Sequence, residues 1–321
     1  MANNVKVYPI ADLKLAIKSG YQVLTIQKKA NAKEYGGTKF FDLTFYLSAA
    51  APKVKGWFLI KDVPLTVGVA NPKDSEDPRN KFKGTRFNVQ TSRDASGVFG
   101  EAIDLLQPLW IKAVNDAISS GIIVTEGQKV HDLMQYVTSK KNTTAPNAKI
   151  ENPPLRMKVD FSLYPGTFSP AFLAGKPRTQ LFDYSAQYTD ANGKIQYKPA
   201  MISDDQGNEV PVDESNMHLF LVKGSIIRTG RISMTSLAVS DGWVSASIHL
   251  VTAVVERGTG GGFDDDESAC AGSSADLTSH LTISDATNLV AIPPSTNPTI
   301  VVEPKGVGLS KDEIEEFLGE I

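Results

Sequence analysis

The chain lacks several features that would place it in familiar classes of protein. It has one cysteine, Cys270, which excludes an internal disulfide framework and favours a reducing intracellular compartment. No apolar run reaches the roughly 18 to 20 residues that a membrane-spanning helix requires. Residues 1–6 also lack the apolar core of a signal peptide. We therefore expect an intracellular protein with no membrane association.

Residue types that carry enzyme or metal chemistry occur only at scattered positions. The four histidines lack metal-ligand spacing to one another or to Cys270, and no nucleophile elbow is present. The glycines of 258–262 lack the lysine and hydroxyl residue of a phosphate-binding loop, so a linker is the better interpretation. The acidic run 264–267 is typical of a solvated segment. The sequence predicts a protein that is not an enzyme and uses no metal or cofactor.

Charge is strongly segregated along the chain, although the net charge is only −3. Residues 1–100 carry 16 lysines and arginines against 8 acidic residues, whereas residues 258–321 carry 2 against 12. A basic front indicates an anionic partner, and an acidic end is typical of a tail that binds other proteins. The alternative is that this uneven distribution of surface charge has no functional role. The concentration of acidic residues at 258–321 argues against it.

The pattern of apolar residues predicts a mainly β domain over residues 1–257 with a helical insertion at about 99–141. Alternation predicts strands at 21–26, 40–47, 56–60, 81–89, 155–163, 180–188 and 194–202. We expect a polar loop over 203–215. The stretch 217–257 predicts three antiparallel strands joined by a hairpin turn at Asp241 and Gly242, with Val244, Leu250 and Val254 on one buried face.

Helical spacing predicts three helices in this domain and one in the tail. The first is short and ends at Gly20. The second runs over 99–120, with a kink or break at Pro108, and a weaker third covers 126–141. Residues 258–321 are expected to form a flexible acidic tail that ends in a short amphipathic helix after the capping box of 310–313. Because such a helix is marginal alone, we expect its apolar stripe to bind a partner through Ile314, Phe317, Leu318 and Ile321.

Basic residues interleaved with aromatic rings are the main functional signal. Cations can follow the phosphates of a single strand while rings stack on its unpaired bases. The alternative for any one ring is a place in the core. The candidate contacts to nucleic acid are Lys28, Lys29, Lys33, Tyr35, Lys39, Lys53, Lys55, Trp57, Lys81, Phe82, Lys83, Arg86, Phe87, Arg156, Lys158, Arg228 and Arg231.

Several blocks over residues 70–257 resemble a known family. They are 71–73 with 77–79, the helix at 102–118, the proline entry and alternating strand of 152–159, the segment 167–176, and the stretch 224–255. The chain is similar here to the single-stranded DNA-binding proteins of large cytoplasmic DNA viruses, of the African swine fever virus type. The resemblance implies an oligonucleotide-binding fold (OB-fold) with insertions, sequence-independent binding of single strands during replication, and a place in the host cytoplasm.

Two hypotheses follow from the sequence. The favoured one is an OB-fold-like five-stranded antiparallel barrel that binds single-stranded DNA, or RNA, in replication, repair or recombination. Its acidic tail would compete with the strand or dock on replication proteins, and the protein could form a homo-oligomer. The alternative is a virion or scaffold protein that docks through its acidic tail, with the basic surface incidental.

Overall fold

The computed structural model describes residues 7–20, 23–28, 37–48, 53–69, 86–124, 127, 129–163, 177–191, 193–204, 206–240 and 242–258. Within these ranges the protein is mainly β, as predicted, and most of its strands belong to two sheets. No helix in these ranges has the length and apolar content needed to span a bilayer.

The elements of the described chain are two α-helices and sixteen strands. The helices are α1 (Ile10–Lys18) and α2 (Val98–Ser119). The strands are β1 (Tyr8–Pro9), β2 (Leu24–Lys28), β3 (Lys39–Phe45), β4 (Val54–Lys55), β5 (Trp57–Pro64), β6 (Arg86–Ser92), β7 (Lys129–Val130), β8 (Pro154–Asp160), β9 (Gln180–Thr189), β10 (Ile195–Pro199), β11 (Met201–Ser203), β12 (Glu209–Pro211), β13 (Ile226–Ser233), β14 (Ser236–Ser240), β15 (Trp243–Ala246) and β16 (Ile248–Glu256).

The larger sheet has eight strands, and its main path runs β1-β5-β13-β16-β8-β6. Strand β13 is antiparallel to both of its neighbours, β5 and β16, whereas β1 is parallel to β5 and β16 is parallel to β8. Along its length β16 changes partner. Residues 248–250 pair with β8, and residues 252–255 pair with β9, which also pairs with β10. The sheet therefore forks at β16.

The smaller sheet runs β2-β3-β14-β15-β7, with β4 also paired to β3. The chain crosses between the two sheets at Gly56, at 234–235 and at Ser247. At the first two crossings the backbones touch, because the Met234 N–H donates to the Gly56 carbonyl oxygen at 2.7 Å. A Cβ on Gly56 would lie 2.3 Å from the Met234 carbonyl oxygen, so only glycine fits there. Bending at these crossings gives the sheet a curled, half-barrel form.

Both sheets and both helices share one hydrophobic core. Phe45 of the smaller sheet packs edge to face against Phe58 of the larger one, with ring centroids 5.3 Å apart. Trp110 of α2 is fully buried, and its Nε1–H donates to the His131 carbonyl oxygen at 2.8 Å. One face of each sheet therefore packs against the core, and the other face points away from it.

The first two predicted helices are confirmed. Helix α1 ends just before Gly20, and α2 ends just before Gly121, both with positive φ. Of the predicted kink or break at Pro108, the break does not occur, since α2 continues through it. Pro108 lies on the exposed side of the helix, and buried Leu106 and Trp110 on either side of it keep the helical path fixed against the core. The loss of one backbone hydrogen bond is tolerated there.

The predicted helix over 126–141 was wrong. The described part of that range has no helix and contains β7, in which Val130 pairs with Val244 in parallel register. Met134 is buried and forms an isolated bridge with Leu155, whereas Val137 is 46% exposed. An extended segment that touches the core at irregular intervals thus imitated helical spacing.

The prediction that Val254 shares a face with Leu250 was also wrong. The ladder between β13 and β16 shifts register opposite Ile232, so Val251 forms a bulge. Beyond it Ala253 and Val255 belong to the main core cluster, whereas Val254 lies on the opposite side of the strand, where it is still buried at 5% exposure. The hairpin of β14 and β15 is confirmed around Gly242, but the predicted number of three strands was wrong, because the last one divides at Ser247 and the resulting four strands belong to two sheets.

Other predicted boundaries changed less. The start of the 217–257 stretch is a single 3-10 turn at Met217–Leu219 rather than strand. The expected polar loop at 203–215 contains β12, which pairs with β11. The strand predicted to reach residue 163 ends at Asp160. The predicted tail beyond Gly258, its terminal helix, the loop at 71–80 and the basic segment 81–85 lie outside the described residues.

Candidate nucleic-acid interface

The face of the larger sheet that points away from the core carries polar, cationic and aromatic side chains. Strand register aligns its central residues in a row across five strands, because residues directly opposite in neighbouring strands project to the same side. That row consists of Asn88, Lys158, His249, Ser233 and Trp57. The next residues along four of these strands, Val89, Met157, Ile248 and Phe58, lie in the core.

Two further rows lie beside the central one. The first consists of Gln180, Thr252, Arg231 and Leu59, and the second of Phe182, Val254, Thr229 and Lys61. On β8 two residues flank Lys158 on the same face. Arg156 lies opposite Gln90, and Asp160 is the last residue of the strand. We call these residues together, from Trp57 to Asp160, the polar face. The bulge at Val251 is what brings Thr252 and Val254 onto it.

Arg231 lies at the centre of the polar face and is partly buried. Within the described residues neither a carboxylate nor another hydrogen-bond acceptor pairs with its guanidinium. Loss of hydration on burial lowers the pKa of Arg231, and no nearby charge offsets this. A cation that is partly desolvated and has no counter-charge is unfavourable unless an anion binds to it. Arg231 is therefore the main candidate for an anion-binding group on this face.

Arg228 differs from Arg231 although it lies three residues away on the same strand. It occupies a register shift in β13 and donates from Nε to Glu256 Oε2 at 2.5 Å and from Nη1 to Asp62 Oδ1 at 3.1 Å. Burial opposes its charge, but these two carboxylates outweigh burial and raise the pKa of Arg228. Its guanidinium also lies 5.5 Å from the ring centroid of Tyr184. With both carboxylates in place, Arg228 already has counter-charges within the fold, which makes it a weaker candidate for a phosphate contact than Arg231.

The remaining charges of the polar face are mainly positive. Arg156 is exposed and lies 3.4 Å from Gln135 Oε1, and Lys158 is partly buried beside it. Lys61 is exposed at the other side of the face. Asp160 is the one carboxylate among the residues named above, and Glu256, which follows Val254 on the same side of β16, is held by Arg228. Asp160 is buried and accepts hydrogen bonds from the backbone N–H and hydroxyl of Ser162 at 2.9 and 2.5 Å, so its charge is partly compensated.

The predicted contacts are only partly brought together. Trp57, Arg156, Lys158 and Arg231 share the polar face. The exposed lysines Lys28, Lys39, Lys53 and Lys55 instead belong to the smaller sheet or lie beside it. Phe87 is buried in the core at 6% exposure and is not available to stack on a base, which corrects that prediction. The basic front of the sequence is thus divided between two surfaces.

Other predicted contacts fall outside the described residues. These are Lys29, Lys33, Tyr35, Lys81, Phe82 and Lys83, and the tail residues Ile314, Phe317, Leu318 and Ile321. Only the backbone of Arg86 is described, in register with Asp160.

Sequence reasoning missed several members of the polar face. Lys61 alternates with Trp57 and Leu59 on β5, and this signal was available from the sequence. His249 was interpreted only as one of four scattered histidines. Gln180 and Thr252 gave no signal, because the strand fork and the bulge that place them are tertiary features.

Comparisons with known proteins found no match to any family model and none among curated proteins. Function is therefore inferred from the chemistry of the site itself.

Proposed function

We propose that the chain binds single-stranded DNA without sequence preference, and that the polar face is the binding surface. The observation that carries the proposal is the partly buried, uncompensated guanidinium of Arg231 at the centre of a mainly cationic sheet face. Trp57, partly exposed in the adjacent row, supplies a ring for base stacking, which is tolerant of sequence because every base has a π face.

The run β5-β13-β16-β8-β6 supports assignment of the curled sheet to the oligonucleotide-binding type. Its five strands carry the central row of the polar face, and such folds bind single strands on one curved sheet surface. Helix α2 lies between β6 and β8 in chain order. It corresponds to the first half of the helical insertion expected at about 99–141.

Titration of the full chain with labelled poly-dT, matched RNA and duplex DNA tests the proposal. We expect binding to the single strands at low salt and a logarithmic salt slope of roughly −0.7 for each phosphate neutralised. Absence of affinity at low salt, or affinity that does not fall as salt rises, would overturn it. Stable higher-order assembly without nucleic-acid affinity would favour the scaffold alternative instead.

The tail extends the same proposal to regulation and partners. Its 12 acidic residues against 2 basic ones can compete electrostatically with a phosphate backbone for the cationic face. Release of the tail by a bound strand would leave its apolar terminal stripe for a replication protein.

A further inference from the structure

The smaller sheet carries an exposed pair of stacked rings that the proposed interface does not use. His131 and Trp243 have ring centroids 4.0 Å apart and an interplanar angle of 22°. Trp243 is 43% exposed, and His131 is exposed as well. We call His131 and Trp243 the ring platform.

Hydrogen bonds fix the backbone of both segments that carry the ring platform. Lys129 N–H donates to the Gly242 carbonyl oxygen at 2.9 Å, and His131 N–H donates to the Val244 carbonyl oxygen at 2.8 Å, so β7 is fixed along β15. The His131 carbonyl oxygen in turn accepts the hydrogen bond from buried Trp110. Both rings are therefore positioned before any ligand arrives, which reduces the entropy lost on binding.

The surroundings of the ring platform suit an unpaired nucleotide. Lys129 lies directly opposite Trp243 in the parallel register of β7 and β15, so an exposed cation accompanies the exposed ring. Asp132 follows His131, but its carboxylate accepts a hydrogen bond from Gln107 Nε2 at 2.7 Å. An aromatic surface beside a cation is the combination that binds a base and its phosphate.

Residues 243–249 connect the ring platform to the polar face. Alternation along β15 and β16 places Trp243, Ser245, Ser247 and His249 on the same side, while Val244, Ile248 and Leu250 face the core. His249 belongs to the central row of the polar face. The two residues between the sites on this side, Ser245 and Ser247, are small and uncharged, and the path from Trp243 to His249 is about 20 Å long.

We infer that the ring platform is a second contact for the same single strand, in which the outer face of Trp243, backed by the stacked His131 ring, stacks on an unpaired base beyond the polar face. The inference rests on the proposed function, since the polar face provides the first contact. It predicts that a strand must be long enough to follow β16 and β15 before it reaches the platform. Short oligonucleotides then bind the polar face alone.

The test is a length series of labelled oligo-dT over the roughly 4 to 16 nucleotides that one such fold covers. The full chain is compared with Trp243→Ala, His131→Ala and the ring-preserving Trp243→Phe. Leu15→Ala, at a side chain that is 64% exposed on α1, is the matched surface control. Thermal unfolding of each variant verifies that it is folded.

We expect Trp243→Ala to weaken binding of the longest strands by about 5- to 150-fold, the range for loss of one stacked base, and to leave the shortest strands unaffected. His131→Ala should show a smaller loss with the same length dependence, and Trp243→Phe should stay close to the unmodified chain. Loss at no length, or equal loss at every length, would overturn the second contact. In either case sensitivity of short-strand binding to Arg231 substitution would leave the proposed function standing, whereas no binding at any length would refute both.

Discussion

Arg228 and Glu256 are joined across β13 and β16 by a hydrogen bond of 2.5 Å, in a cluster completed by Asp62. Three residues further along β13, Arg231 has no such partner among the described residues. One strand therefore presents two arginines with different roles. The first stabilises the fold, and the second is left to meet an anion.

Replacement of Arg231 by methionine should lower affinity for single-stranded DNA without loss of stability. A hydrogen bond to a charged group contributes roughly 1.5–3 kcal/mol, so we expect a loss of about tenfold or more. The salt slope should become shallower by about 0.7 because one phosphate fewer is neutralised. The melting temperature should stay the same or rise, since removal of an unpaired, partly buried charge does not cost stability. Anisotropy titrations and calorimetry measure the two effects, and unchanged affinity would exclude Arg231 as a contact.

Replacement of Arg228 by methionine should give the opposite pattern. It leaves Asp62 and Glu256 without their shared counter-charge, and we expect a loss of about 1–2 kcal/mol after allowance for partial solvent exposure. Affinity of the folded protein for poly-dT should change little. Urea unfolding at neutral pH checks the stability. If Arg228→Met instead matched Arg231→Met in lost affinity, the assignment of Arg228 as a structural cation would be wrong.

Trp57 should act through its ring. Trp57→Ala is expected to weaken binding at every oligonucleotide length by about 5- to 150-fold, the equivalent of roughly 1–3 kcal/mol for one stacked base. Trp57→Phe should retain most of the affinity because it keeps a ring. A fluorescence titration compares the two variants. Equal losses for alanine and phenylalanine would argue against stacking.

Gly56→Ala should destabilise the fold, because the new Cβ would lie 2.3 Å from the Met234 carbonyl oxygen and 2.6 Å from Phe45 Cε2. Forcing these atoms apart should cost about 1–3 kcal/mol or more. Ser247→Ala, at another crossing between the sheets, is the matched control and should stay within about 0.5 kcal/mol. Equal melting temperatures for both variants would show that the backbone contact at Gly56 is not needed.

Deletion of residues 259–321 should tighten DNA binding at low salt and abolish binding to a partner protein. The gain should fade as salt rises, because competition by acidic side chains is screened over about 10 Å at 0.1 M. A full-length variant with residues 264–267 changed to Asn and Gln should show part of the gain. Equal affinity with and without the tail would refute autoinhibition while leaving the polar face untested by that result alone.

The sequence predicted the fold well where a helix or strand packs one regular side against the core. The helix α2 and the strand β8 have regular apolar periodicity, and both lie where the sequence placed them. Residues 126–141 misled because Met134 reaches the core from an extended segment. Val254 misled because a bulge reverses its face, and a one-residue shift in a strand exchanges both faces.

The candidate site was less predictable than the fold. Alternation on β8 correctly paired Arg156 with Lys158, but closeness in sequence wrongly grouped Lys39 and Lys55 with Trp57. Those lysines are separated from Trp57 by the crossing at Gly56. Membership of the polar face depends on which strands pair, and pairing between distant segments is not written in local composition.

Thr179 closes the gap where β16 changes partner. Its hydroxyl donates to the Leu250 carbonyl oxygen at 2.6 Å and accepts from the Asp160 N–H at 2.9 Å, and nearby Leu163 and Pro177 form an isolated bridge. The end of β8 and the segment that leads into β9 are therefore held together by these contacts. One hydroxyl thus ties both branches of the sheet to β16, so its loss would loosen the two branches together.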